Sequence, residues 1–249
     1  MKKNLTNLMI LVISLMLFNG TEANCETQLT ISPPPITTSS FEKGKNNQRW
    51  DISYLSMSMD EFSAIGLGFD YKARTVMSKR TAITFQLGIF ALSGESDGES
   101  QSDMEMSVTT IPVSLNFEYQ PIRTKYFNII LFAGGLASKG DTNVKFGGEK
   151  QSGNTVMTGF QGGIQTGFEG EKFGITPFFL SVTQSGESEY EETTVEIEEY
   201  RVNTIGFDII HKPSGYTLSS VLDFAETLSG DDEEEEETKI VTIKFGRSF

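Results

Sequence analysis

Residues 239–249 read KIVTIKFGRSF and follow the acidic run SGDDEEEEE (229–237). Val241, Ile243, Phe245 and Phe249 alternate with Thr242, Lys244, Gly246 and Ser248. A period of two puts the two sets on opposite faces of a β-strand, whereas a helix would scatter them. A chain that finishes on such a strand, with a ring as its last side chain, gains little in water, where termini fray. In lipid the same strand has one greasy face to offer and one polar face to hide.

The same texture recurs upstream. In FSAIGLGFDY, Ile65, Leu67, Phe69 and Tyr71 oppose Ala64, Gly66, Gly68 and Asp70. In AITFQLGIFA, Ile83, Phe85, Leu87 and Ile89 oppose Thr84, Gln86 and Gly88. In IPVSLNFEYQ, Ile111, Val113, Leu115, Phe117 and Tyr119 oppose Ser114, Asn116, Glu118 and Gln120. In TVMTGFQGGIQTGFE, Val156, Phe160, Ile164 and Phe168 oppose Gly159, Gln161, Gly163, Gln165 and Gly167. NIILFAGGL and TPFFLSV are apolar on both faces and follow the pattern loosely. Counted back from Phe249, the spacing predicts strands near 238–249, 216–228, 199–211, 173–186, 155–168, 126–138, 104–120, 80–93, 62–72 and 50–58. That is about ten, the first the weakest of them, with eight as the alternative.

The links between these strands alternate in length and charge. Shorter ones hold Lys72, Arg74, Lys79, Arg80, Arg123, Lys125, Lys172 and Lys212. Longer ones are SGESDGESQSD, the segment around Lys139–Asn154, the Glu-rich stretch after Gly186, and the run Asp231 to Glu237. Short turns at one end and long loops at the other are the habit of an up-and-down barrel that crosses an outer membrane. Open strand edges in hydrocarbon would strand N–H and C=O groups at several kcal/mol each, so the sheet must close. The predicted fold is a closed, antiparallel, all-β transmembrane barrel over residues 50–249. Glycines on the inner face suit a narrow lumen, and Asp70, Glu118, Gln161 and Lys244 are expected to fill it with a hydrogen-bonded plug.

The closing strand resembles the C-terminal assembly signal of bacterial outer-membrane β-barrel proteins, where a terminal Phe follows alternate apolar positions. Arg247 departs from that signal, since an apolar or aromatic residue is usual there. From Trp50 to Phe249 the architecture resembles the small OmpA/OmpX-like barrels, and that likeness transfers no functional residue. It implies assembly by the barrel-insertion machinery through the strand ending at Phe249, and outer-membrane lipid as the surrounding partner.

The N-terminus fits export. Lys2 and Lys3 precede an apolar core from Leu8 to Phe18, and Thr21-Glu22-Ala23 offers cleavage after Ala23, so residues 1–23 read as a signal peptide. The core is shorter than the ~20 residues a spanning helix needs. Residues 24–49 are polar, with Pro33-Pro34-Pro35 and a Thr/Ser cluster, and read as a flexible periplasmic tail. Cys25 is the sole cysteine and has no intrachain partner; Glu22-Ala23-Asn24 before it is a poor lipoprotein signal.

Composition excludes some tasks. With 20 Lys and Arg against 34 Asp and Glu, the net charge of −14 disfavours nucleic acid as partner. A mean hydropathy of −0.22 is what alternating polar and apolar faces give in a barrel. GESDG (94–98) has the spacing of a hydrolase nucleophile elbow, but no helix pattern follows, so Ser96 reads as a loop serine. His211, the only histidine, precedes Lys212-Pro213-Ser214-Gly215 at the short-turn end. The surface proteases and lipid-modifying enzymes built on such barrels use a His near the outer rim, the opposite end. No catalytic, cofactor or metal residue is assigned. Asp231 to Glu237 offers divalent cations a loose, solvated carboxylate run rather than a shaped cage. The reading is a non-enzymatic barrel whose acidic outer loops meet ligands or partners; a narrow cation-preferring pore is the alternative, and an enzyme on lipid or peptide the third.

Overall fold

The computed structural model describes residues 46–59, 62–96, 104–146, 149–190, 193–227 and 238–249. Residues 1–23, expected to be a signal peptide, Cys25 and the run 231–237 lie outside them. Ten strands are formed: β1 (Asn46–Met59), β2 (Phe62–Val76), β3 (Thr81–Ser96), β4 (Met104–Arg123), β5 (Phe127–Phe146), β6 (Glu149–Glu169), β7 (Phe173–Tyr190), β8 (Thr193–His211), β9 (Tyr216–Thr227) and β10 (Thr238–Ser248). Each pairs antiparallel with its sequence neighbours, and β10 pairs with β1 from Arg49↔Ser248 to Ser58↔Lys239, closing the barrel.

Alternation dictates the two faces. Ile65, Leu115 and Phe245 are 60%, 57% and 53% exposed on the outside. Their immediate neighbours Ala64, Ser114 and Lys244 are buried on the inside. On β4 the outward apolar run goes from Ile111 to Tyr119, and Thr109, Ser107 and Glu105 continue it as polar residues. Such a run matches the ~9–11 residues of a tilted strand crossing hydrocarbon.

Several boundaries differ from the sequence expectation, and β2 runs on to Val76 rather than ending at 72. β1 starts at Asn46 rather than Trp50. The segment 139–154, expected as a long loop, is a hairpin in which β5 and β6 stay paired from Lys139↔Val156 to Phe146↔Glu149. The Glu-rich stretch after Gly186 likewise belongs to β7 and β8, with Glu187↔Glu196 and Glu189↔Thr194 in register. The physical reason is common to both hairpins. Above the apolar band the outward faces are polar and the inward ones mix Gly140, Thr142 and Ser188 with isolated apolar residues such as Val144 and Ile197, so the pattern imitates a loop, while the backbone ladder needs no apolar face to continue. At 21 residues, β6 is ~70 Å long at ~3.4 Å per residue, far more than one bilayer requires.

At the other end the turns are short: 77–80, 124–126, 170–172 and 212–215. They are laced to one another by backbone hydrogen bonds, Glu169 N–H to Tyr126 C=O at 2.8 Å and Lys212 N–H to Lys172 C=O at 2.9 Å. Gly215 has φ +72°, a left-handed conformation that closes the β8–β9 turn and that glycine adopts without a Cβ clash. Ser248 N–H donates to its carbonyl at 2.8 Å, tying the last strand to this turn.

Candidate functional site

The lumen is where this sequence concentrates its chemistry. Strand parity brings inward Arg49 and Asp51 from β1, Asp70, Lys72 and Arg74 from β2, Glu118 from β4, Asp208 from β8 and Lys244 from β10. All eight are at most 2% exposed, so water has no access to them from the axis. Such charges persist in a barrel interior only when paired and hydrogen-bonded.

They are. Arg49 Nη1 and Nη2 donate to Asp208 Oδ2 and Oδ1 at 2.6 and 2.9 Å, a bidentate fork. Its Nε donates to Asp51 Oδ1 at 2.8 Å, and Nη2 also reaches Ser219 Oγ at 2.8 Å. Lys72 Nζ bridges Asp51 Oδ2 at 2.9 Å and Asp70 Oδ1 at 2.8 Å. Lys244 Nζ completes the chain on Asp70 Oδ2 at 3.0 Å. Thr217 Oγ1 donates to Asp51 at 3.2 Å. Three cations and three carboxylates thus alternate, Asp208–Arg49–Asp51–Lys72–Asp70–Lys244, across β8, β1, β2 and β10. Gly246 leaves the room: a Cβ there would stand 2.0 Å from Asp51 Oδ1.

A second group flanks this cluster. Arg74 Nε pairs with Glu118 Oε2 at 2.8 Å, and Thr84 Oγ1 donates a short hydrogen bond to Glu118 Oε1. Ser114 donates to Gln86 at 3.0 Å, and Gln161 Nε2 reaches Asn116 Oδ1 across β5 at 2.7 Å.

Above the charged level the axis turns apolar. Leu55, Met57, Ala64, Phe90, Leu92 and Ile240 form one cluster, and Phe132, Leu136, Met157, Leu180, Val182, Ile197, Tyr200 and Val202 a second. The Phe90 ring occupies the space over Gly68 and Gly88, where a Cβ would come within 2.2 and 2.6 Å of it. The expected polar axis thus carries its ion-pair network toward the short-turn end; the runs NIILFAGGL and TPFFLSV, apolar on both faces, supply greasy filling farther out, where buried polar groups such as Asp223, bonded by Thr204, and the Thr155–Ser188 pair are interspersed.

Asp70, Glu118, Gln161 and Lys244 all stand in the lumen, Asp70 joined to Lys244 and Gln161 to Asn116. Sequence reasoning missed Arg49, Lys72 and Arg74, assigning the first to the tail and the others to a turn. Parity was the available signal: Arg49 shares a face with Asp51 and Ser53, and Lys72 and Arg74 with Asp70. His211 lies at the short-turn end, its Nδ1 sharing a 2.7 Å hydrogen bond with Ser214 Oγ and its ring 5.0 Å from that of Phe173. Ser96 is the last residue of β3, with its backbone paired to Phe62. A cavity of about 470 Å³ opens at the short-turn mouth, lined by Arg123, Thr124, Lys125, Asn128, Glu169 and Lys212.

No family model and no curated protein matches the chain. Solved structures do. The outer membrane protease OmpT of Escherichia coli superposes with a TM-score of 0.54 at 9% identity, over 86% of this chain and 99% of that one. The translocator domain of the autotransporter NalP of Neisseria meningitidis gives 0.51 at 9%, over 82% and 88%. The transport unit of the autotransporter AIDA-I of Escherichia coli gives 0.51 at 9%, over 95% and 96%. At that identity the likeness is one of fold: the chain has the architecture of bacterial outer-membrane β-barrels.

Proposed function

We propose that this protein is a non-enzymatic, integral outer-membrane barrel with a closed lumen, which holds acidic loops and polar strand extensions outside the membrane for ligands or partners. One observation carries the reading: the barrel is apolar outside and ionic inside. Ile65, Phe85, Leu115 and Phe245 are at least 39% exposed, whereas Arg49, Lys72 and Lys244 are at most 1% exposed. A surface that apolar around a whole circumference aggregates in water and is at rest in hydrocarbon.

The closed lumen follows from the same burial. A side chain facing a water-filled passage keeps accessible surface, and the charged level offers none. This counts against the narrow pore. The enzyme reading would need acid, base or nucleophile at the outer rim, and His211 stands at the opposite end. Function is then left to the outer segments, the usual place for it on a rigid scaffold. The test is twofold. Protein folded into planar bilayers should be electrically silent; steady cation-selective steps would overturn the closed lumen. Removing 231–237 should weaken surface binding or adhesion of cells bearing the protein; an unchanged phenotype would overturn the role of that loop.

A further inference from the structure

The outward face at the short-turn end holds one row of side chains that the lumen does not use. Along the strand register, Phe173 on β7 faces His211 on β8, His211 faces Tyr216 on β9, and Tyr216 faces Arg247 on β10. Arg247 in turn faces Trp50 on β1, and Trp50 faces Tyr71 on β2. Six neighbouring strands therefore contribute five rings and a single guanidinium to one continuous row. Such aromatic rows mark the level where hydrocarbon gives way to headgroups.

Arg247 is the residue that departs from the apolar pattern of the closing strand, and the row explains how it is held. Its guanidinium lies 5.6 Å from the Tyr216 ring centre and 5.1 Å from that of Phe249. Rings fix the plane of the group and leave its N–H edge free to meet an oxyanion in a forked geometry. Among the described residues no carboxylate pairs with it. The adjoining turns add Lys79, Arg80, Lys125 and Lys172, all exposed, while Lys212 is paired with Glu169 and Glu171 is the one carboxylate within those turns, so the rim carries a net positive charge. A basic rim draws anionic headgroups to the surface.

We propose that Arg247, held by Tyr216 and Phe249 beside Trp50, binds the phosphate of one phospholipid in the leaflet at the short-turn end, with phosphatidylglycerol preferred over zwitterionic headgroups. The inference rests on the membrane reading above. Its function would be to anchor the closing seam, β10 against β1, at a fixed depth in the bilayer.

The protein provides its own reporter, because Trp50 is the sole tryptophan and sits directly opposite Arg247. Folded protein in detergent is titrated with phosphatidylglycerol and with diacylglycerol carrying the same chains, and bound lipid is counted by native mass spectrometry. Wild type should retain one phosphatidylglycerol, Arg247→Gln should retain it about fivefold more weakly, and diacylglycerol should not distinguish the two. Equal retention of phosphatidylglycerol by both proteins overturns the inference. Should Arg247→Gln fail to fold, wild type alone decides in vesicles. Bromine on the first chain carbons of phosphatidylglycerol should quench Trp50 severalfold more than bromine on diacylglycerol at equal mole fraction; equal quenching overturns the site. Failure of wild type to enter vesicles at all would instead refute the membrane reading.

Discussion

Replacing Arg49 with Met tests the charged lumen most directly. The side chain is 1% exposed, and its hydrogen bonds include two to Asp208, one to Asp51 and one to Ser219. Methionine matches its stem but none of its donors. Asp51 would keep Lys72 at 2.9 Å and Thr217 at 3.2 Å, so its charge stays compensated. Asp208 would keep the hydroxyl of Ser219 and lose its forked cation. The cost is that of leaving one buried carboxylate without a counter-charge, ~3–5 kcal/mol when a buried pair is broken from one side. Removing the carboxylate as well should restore most of the loss. Arg49→Met/Asp208→Asn is expected to be more stable than Arg49→Met alone, with a coupling of about 2 kcal/mol, inside the range for directly bonded partners. Urea-driven unfolding in lipid vesicles, followed by Trp50 emission, gives all four corners of the cycle. A single variant within ~1 kcal/mol of wild type, or a cycle that is simply additive, would refute a charge network as the structural centre of the lumen.

The remaining expectations use the same assay or a neighbouring one. Leu115→Arg, at the middle of the outward apolar run, should destabilise the vesicle-folded protein by ~2–4 kcal/mol, whereas Thr109→Arg, above that run, should cost only ~0–1; equal effects would mean that no lipid touches the band. Gly68→Ala puts a Cβ 2.2 Å from the Phe90 ring and should cost ~1–3 kcal/mol. Phe90→Leu in the same chain should relieve much of that loss, and a double variant no better than Gly68→Ala would exclude the ring as the cause. His211→Ala loses the Ser214 hydrogen bond and the Phe173 ring contact, so it should cost about 1 kcal/mol in the unfolding assay while leaving surface binding unchanged.

Much of this was legible in the residues because a strand repeats every two positions. Ile111 to Tyr119 alternates so regularly with Ser114, Asn116 and Glu118 that both faces of β4 can be assigned by eye. The register that places Phe245 beside Ile52 and Leu218 follows once the barrel closes. Two things were not legible. A Lys or Arg beside a turn reads as solvated, because its sequence neighbours are polar. For Arg49 the neighbour Asp51 on the same face is a local clue, but the forked partner, Asp208, is 159 residues away and nothing local announces it. The tall hairpins were hidden for the opposite reason. Lys139, Asp141, Asn143 and Lys145 point outward above the apolar band, where water is the neighbour, so the outward-facing apolar signal of a lipid-embedded strand stops while the strand itself goes on.

The seam between β1 and β10 sets the order in which the molecule can be completed. Lys244, the final cation of the buried chain, reaches Asp70 from 174 positions along the polypeptide. Until the last strand docks, Asp70 has only half of its neutralising company and the first and last ladders have bare edges. Closure of the cylinder and balance of its charge are then a single event, one that excludes water and joins the first strand to the last in the same step. A nascent form lacking β10 should stay wet and open rather than collapse into a smaller barrel.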